Sequence, residues 1–106
     1  MEPNKFGIEV YIMVDATKLA GKKVVSAKGE TLGEVNGVDV DLTNWQASGL
    51  YVSLTDDATT ELGFKKPFMS NVVICLPTNV VSSVGDVITL NEAVKDLKDV
   101  IEKLHK

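Results

Sequence analysis

Apolar and polar residues alternate over several short stretches of the chain, which is the period-two pattern of half-buried strands. Every second residue is apolar from residue 6 to residue 14. Similar stretches, some only three or four residues long, lie at 22–25, 32–42, 50–54, 72–76 and 87–90. Five to six short strands with turn residues between them predict a mainly β protein, built as a small closed or nearly closed barrel.

One of these stretches changes phase in its middle. Val35 lies on odd parity, whereas Val38 and Val40 lie on even parity, and Asn36-Gly37 stands between them. A β-bulge adds one residue to a strand and shifts its phase in this way. The sequence therefore predicts a bulge at Asn36-Gly37, of the kind that bends strands in small barrels.

Residues 55–71 are rich in Thr, Asp, Gly, Lys and Pro and have few periodic apolar positions. This composition predicts an exposed connection between strands, and the sequence does not give its detailed shape. Phe64 and Phe68 in this connection, together with Trp45 in a turn, allow two interpretations. They either leave apolar surface exposed for a protein partner or cap the ends of the barrel.

From Leu90 onward the apolar period lengthens to about three and a half residues, which predicts an amphipathic α-helix. Thr89 and Glu92 have the spacing of a capping box, which predicts that the helix begins there and runs nearly to the C-terminus. One side of this helix carries an apolar stripe: Leu90, Val94, Leu97, Ile101 and Leu104. The predicted organisation is an N-terminal extension at 1–14 with a possible strand, a barrel domain at 15–90 and a C-terminal helix at 91–106.

Charge and hydropathy exclude several classes of function. The chain has 15 acidic and 11 basic residues, and this balance repels a nucleic-acid backbone. No apolar run approaches the roughly twenty residues of a membrane-spanning helix, and residues 1–5 lack the pattern of a secretory signal. We therefore expect a soluble, cytoplasmic protein that neither binds nucleic acid nor inserts directly into a membrane.

The sequence predicts no catalytic, cofactor or metal site. Cys75 is the single cysteine, and the single histidine, His105, lies one residue from the C-terminus, so neither a disulfide nor a Cys/His cluster can form. Asp39 and Asp41 share one face of a strand, but they alternate with valines and are expected to face solvent. We therefore expect a non-enzymatic protein without a cofactor.

A series of short motifs resembles the PRC-barrel family over residues 19–90. The order of the motifs is more specific than any one of them. They are Leu-Ala-Gly-Lys-Lys-Val-Val at 19–25, Lys-Gly-Glu-Thr-Leu-Gly-Glu-Val at 28–35, Val-Asp-Val-Asp at 38–41, Gly-Leu-Tyr-Val at 49–52, Leu-Gly at 62–63, Ile-Cys-Leu-Pro at 74–77 and Val-Gly-Asp-Val-Ile at 84–88. The chain is similar to the free-standing single barrels that are typical of archaea.

This resemblance implies a protein-interaction or scaffold module. Some free-standing barrels of the family take part in archaeal cell division with the SepF-type protein that anchors the FtsZ ring. The implied function is an adaptor that binds this anchor or another PRC-barrel protein, as a homodimer or hetero-oligomer, and lies at the division site through a membrane-anchored partner. The alternative is an accessory role in RNA metabolism or ribosome assembly, because related barrels form part of a ribosome-maturation factor.

Two elements outside the minimal family pattern are candidate interaction elements. The N-terminal strand, through Ile8, Val10 and Ile12, could pair along an open sheet edge of its own barrel or of a partner. The C-terminal helix offers the stripe of Leu97, Ile101 and Leu104, which could pack on its own barrel or against a second copy. The sequence leaves both choices open.

Overall fold

A computed structural model describes residues 16–65 and 70–104, with side chains as far as Ile101. The strand predicted over 6–14 lies outside these residues, as do Phe68 and His105. The described elements are two short 3-10 turns at Ala16–Lys18 and Thr78–Val80, the strands β1 Lys23–Val25, β2 Thr31–Asp41, β3 Gln46–Leu54, β4 Val73–Pro77, β5 Val81–Val84 and β6 Val87–Leu90, and the helices α1 Asp56–Glu61 and α2 Val94–Leu104.

The six described strands form one sheet in the order β4-β3-β2-β1-β6-β5. Neighbouring strands are antiparallel except β1 and β6, which run parallel. The two edge strands, β4 and β5, follow one another in the chain through the 3-10 turn at Thr78–Val80. The sheet is therefore barrel-like but not closed, and the prediction of a mainly β fold with a C-terminal helix is confirmed.

The long β2–β3 pair contains two irregularities. Its register shifts between Val35 and Gly37, which confirms the predicted bulge, and shifts again between Asp39 and Val40. Each extra residue bends the strand and increases its twist. The bulges thus help a sheet of short strands to curl around a core.

One hydrophobic core lies between the sheet and the two helices. Its members come from β1, β2, β3, β4 and β6, from both helices, and from two connecting positions, Leu62 and Val80. Helix α2 contributes Val94, Leu97 and Ile101 to it. Burying a side chain of this size stabilises a fold by about 1.5–3 kcal/mol, so α2 is an integral part of the domain.

Helix α2 begins later than the sequence predicts. Thr89 and Leu90 belong to β6, where Thr89 pairs with Val25 of β1 and with Ser83 of β5. The capping box predicted from Thr89 and Glu92 is therefore wrong, and the helix begins at Val94. Leu90 is buried as a strand residue. Leu90 falls on the helical stripe in the sequence because one inward-facing strand residue precedes the helix by a helical spacing of four residues.

The prediction of an exposed connection is wrong for its first part, which contains α1 and buries Ala58, Thr59 and Leu62. The Thr55 hydroxyl caps this helix by accepting a hydrogen bond from the Ala58 N–H at 3.1 Å. Gly63, with φ +87°, ends it, and Gly63 and Phe64 donate their N–H groups back to Thr60 and Thr59. This is the Schellman pattern, in which a glycine in the left-handed region satisfies the last carbonyls of a helix.

Candidate protein-interaction surface

The β2–β3 hairpin extends beyond the core at its turn end. β2 has 11 residues and β3 has 9, whereas the other described strands have 3 to 5. Near the open end of the hairpin Leu32 and Val52 are fully buried. Near the turn Val40 is 45% exposed and Leu42 is 67% exposed. The apolar stripe of β2 thus continues past the region that other elements cover.

The turn of this hairpin is held by two side chains. Asp41 pairs with Gln46 across the strands, and four residues connect them. The Asp41 carboxylate accepts a hydrogen bond from the Thr43 N–H at 2.9 Å, and the Asn44 side-chain oxygen accepts one from the Gln46 N–H at 3.1 Å. Such side-chain to backbone bonds are typical of Asx turns and give the loop a defined shape.

Trp45 occupies the last position of this turn in an unusual conformation. Its φ of 58° lies in the left-handed region, and it is the one described residue other than glycine with positive φ. Its side chain is 75% exposed. Of the two interpretations of the aromatic residues, exposure applies to Trp45, whereas Phe64 packs against the core. We refer to Val40, Leu42 and Trp45 together as the hairpin tip.

Polar residues lie beside the hairpin tip. A hollow of about 270 Å³ lies between the hairpin and the 3-10 turn at Thr78–Val80. Its lining is mostly polar: Asp41, Asn44, Gln46, Ala47, Ser48, Pro77, Thr78 and Asn79. Exposed apolar residues next to polar ones are the usual arrangement of a protein-binding surface.

The other face of the hairpin carries a cluster of titratable side chains. Tyr51 pairs with Cys75 across β3 and β4. The carboxylate of Asp39, followed by Cys75, raises the pKa of the Tyr51 hydroxyl. Burial, followed by the charge of Asp39, raises the pKa of the Cys75 thiol above its ordinary value of 9.0. Both groups are therefore protonated at neutral pH, and Cys75 lacks the thiolate character of a reactive cysteine.

A second apolar surface lies between the hairpin and the β5–β6 pair. It is a groove of about 270 Å³, and we refer to it as the open groove. Its lining residues come from four strands and two flanking segments: Leu19, Val38, Ala47, Gly49, Leu50, Thr78, Val81, Val84 and Ile88. Val84 is 37% exposed, whereas Ile88 is buried at the floor.

The interface residues predicted from the sequence have different positions. Leu97 and Ile101 are 0% and 3% exposed and belong to the core of the chain itself. A helix-mediated interface through these two residues would therefore require α2 to leave the sheet. The side chain of Leu104 and the residues Ile8, Val10 and Ile12 lie outside the described part of the chain.

The sequence pattern did not single out Val40 or Leu42 as surface residues. A signal was present, because Val38, Val40 and Leu42 continue one parity up to the turn. A strand pattern, however, shows which face a residue lies on and not whether a second layer covers that face.

Two structural observations concern metals and membranes. Within 16–65 and 70–104 there is no group of three or more His, Cys, Asp or Glu residues placed to hold a metal ion. None of the helices in the described part of the chain is long and apolar enough to cross a membrane.

Comparison with protein families gives a match over most of the chain. Residues 12–97 match the profile of the PRC-barrel domain. The matched range covers most of the 106 residues and includes every strand that the structure describes. No curated protein matches the chain with significant similarity.

Proposed function

The chain belongs to the PRC-barrel family, whose domains are small non-catalytic modules that mediate protein–protein interactions, and we propose that it binds its protein partner through the hairpin tip. The observation that carries this proposal is the exposure of Leu42 and Trp45 at the end of a hairpin that extends beyond the core. The module acts by binding alone.

The hairpin tip is better explained by binding than by folding. A residue with a Cβ in the left-handed region costs about 1–2 kcal/mol relative to ordinary helical backbone, and an exposed tryptophan gains little from burial in return. In a partner interface the same side chain buries about 150–250 Å², and tryptophan is enriched among the residues that dominate binding energy. The Asx bonds of the turn hold Trp45 in place before binding, which lowers the entropy lost on association.

The partner that we propose is the SepF-type anchor of the archaeal division ring or another PRC-barrel protein. The resemblance of this chain to free-standing archaeal barrels supports this choice. The complex would be a homodimer or a hetero-oligomer, located at the division site through the membrane-anchored partner. A role in RNA metabolism or ribosome assembly is the alternative, and the net charge of −4 disfavours it.

The test uses affinity purification and crosslinking of the tagged protein from its native cells, followed by mass spectrometry. Trp45→Asn is the informative variant, because asparagine tolerates the left-handed backbone of the turn and removes the indole. Val73→Thr is the matched control, because Val73 is 44% exposed on β4 and threonine keeps its β-branched shape.

We expect the wild type and Val73→Thr to recover the division anchor or a second PRC-barrel protein. Trp45→Asn should reduce that recovery by about tenfold or more, the effect of losing a central interface residue. Equal recovery by the wild type and Trp45→Asn would show that the partner binds elsewhere. Recovery of ribosomal proteins or RNA-processing factors in place of division proteins would support the alternative.

A further inference from the structure

The open groove is an apolar surface next to an unpaired strand. Among the described residues β5 pairs only with β6, so one edge of Val81–Val84 has no strand beside it. Val81 and Val84 of this edge strand also line the groove. An unpaired edge presents free backbone N–H and C=O groups, and it readily accepts another extended segment.

We propose that residues 6–14 of the same chain occupy the open groove as an extended strand along the free edge of β5. Every second residue of this segment is apolar, so one face of the strand can contact the groove while its backbone bonds to β5. The inference is independent of partner binding at the hairpin tip.

The chain connection favours this occupant. Leu19 lines the groove and stands only five residues after Val14. Nine extended residues span about 30 Å at roughly 3.3 Å per residue, which is more than the four residues of β5 require. The family match begins at residue 12, before the first described residue, so Ile12 and Val14 belong to the matched range.

The short link to Leu19 also favours residues 6–14 of the same chain over residues 6–14 of a second copy as the occupant of the groove. A short tether holds a segment near its site at an effective concentration in the millimolar range, far above the usual protein concentration. Ile8, Val10 and Ile12 would then form an interface within the chain, which selects one of the two arrangements predicted for them.

Disulfide trapping tests the proposal. In a Cys75→Ser background, Val84→Cys is combined in turn with Ile8→Cys, Val10→Cys and Ile12→Cys, because the register of the segment is not fixed. Val87→Cys is the matched control: it is 37% exposed like Val84, but it does not line the groove. A disulfide forms only when the two Cα atoms approach to about 4.4–6.8 Å.

We expect at least one Val84→Cys pair to form an intramolecular disulfide at micromolar protein concentration, seen as faster migration on a non-reducing gel. The same N-terminal cysteine paired with Val87→Cys should not do so. Covalent dimers through Val84→Cys would assign the groove to a second copy and overturn the proposal. Absence of any disulfide at Val84→Cys would also overturn it.

A thermal double-mutant cycle gives a second measurement on the N-terminal residue that the disulfide with Val84→Cys identifies, taken here as Val10. Val10→Ser and Val84→Ser should each lower the melting temperature by a few degrees, and the double variant should lower it by less than the sum of the two shifts, since contacting residues are not additive. The shifts in melting temperature caused by Val10→Ser and Val87→Ser should add in the double variant. Additivity in both cycles would contradict the proposed contact.

Discussion

The two ends of the β2–β3 hairpin both carry apolar residues, but these residues have different roles. At the open end, which we refer to as the hairpin base, Leu32 and Val52 lie under neighbouring strands and helices and belong to the core. At the hairpin tip, Leu42 and Trp45 are mostly exposed although they lie on the same pair of strands or in the turn between them. Apolar residues of the base therefore stabilise the fold, and apolar residues of the tip are available for a partner.

The difference follows from what covers each end. Helix α1 contacts β2 and β3, and β1 continues the sheet beside β2 only as far as Glu34. The second half of β2 pairs with β3 alone among the described strands. A two-stranded ribbon cannot bury its apolar face by itself, so the tip stays exposed unless another molecule covers it.

The largest expected difference in folding stability is between a substitution in the buried helix α2 and one at the hairpin tip. Leu97→Ala removes a fully buried side chain and should lower the free energy of unfolding by about 2–5 kcal/mol. Leu42→Ala removes an exposed one and should change it by no more than about 0.5 kcal/mol. Urea denaturation measures both. If Leu97→Ala instead changed the oligomeric state and left stability intact, α2 would serve an interface rather than the core.

Substitution of two glycines of β2 should give a smaller difference in folding stability along one strand. A Cβ on Gly33 would overlap the Ser53 carbonyl, so Gly33→Ala should destabilise the fold by about 1–3 kcal/mol or more. A Cβ on Gly37 would meet only the Tyr51 ring at an ordinary distance of 3.6 Å, so Gly37→Ala should change stability by less than about 1 kcal/mol. Melting temperatures compare the two variants, and equal losses would contradict the difference in packing around Gly33 and Gly37.

Removing a capping side chain at each end of the hairpin should give a smaller difference in folding stability. Thr55→Ala removes the N-cap of α1 near the base and should cost about 1 kcal/mol. Asn44→Ala removes the side-chain acceptor of the Gln46 N–H in the exposed turn and should cost about 0.5 kcal/mol or less. Chemical denaturation measures both. A larger loss for Asn44→Ala would show that the tip itself contributes to folding.

The smallest expected effect concerns the thiol of Cys75, between the base and the tip. Because its pKa is raised in the folded state, this group contributes stability below the ordinary thiol pKa of 9.0, and that stability is lost as pH rises through the higher folded value. Asp39→Asn removes one cause of the raised pKa, so it should speed alkylation of Cys75 at pH 8.5, by less than tenfold.

Asp41→Asn is the control for this measurement, because it removes a carboxylate from the same strand that is not among the causes of the raised pKa of Cys75. Iodoacetamide labelling followed by mass spectrometry gives the rates. An unchanged rate in Asp39→Asn would show that burial alone holds the thiol protonated.

The sequence predicted elements well where the pattern was long and regular. Alternation in β2 and β3 gave both strands and the bulge at Asn36-Gly37, and the later stripe gave the C-terminal helix. It did not give α1, because six residues are too few to display a helical period. The Thr55 cap and Gly63 were the available signals, and each is common in loops as well.

The sequence by itself determined the mainly β class, the family and the face of each strand on which apolar residues lie, because these depend on local periodicity and on the order of short motifs. The tertiary structure decided which of those faces is covered. Val35 and Leu42 are both apolar residues of one continuous stretch, yet one enters the core and the other is exposed. Burial depends on neighbours that are distant in sequence, and no local pattern contains that information.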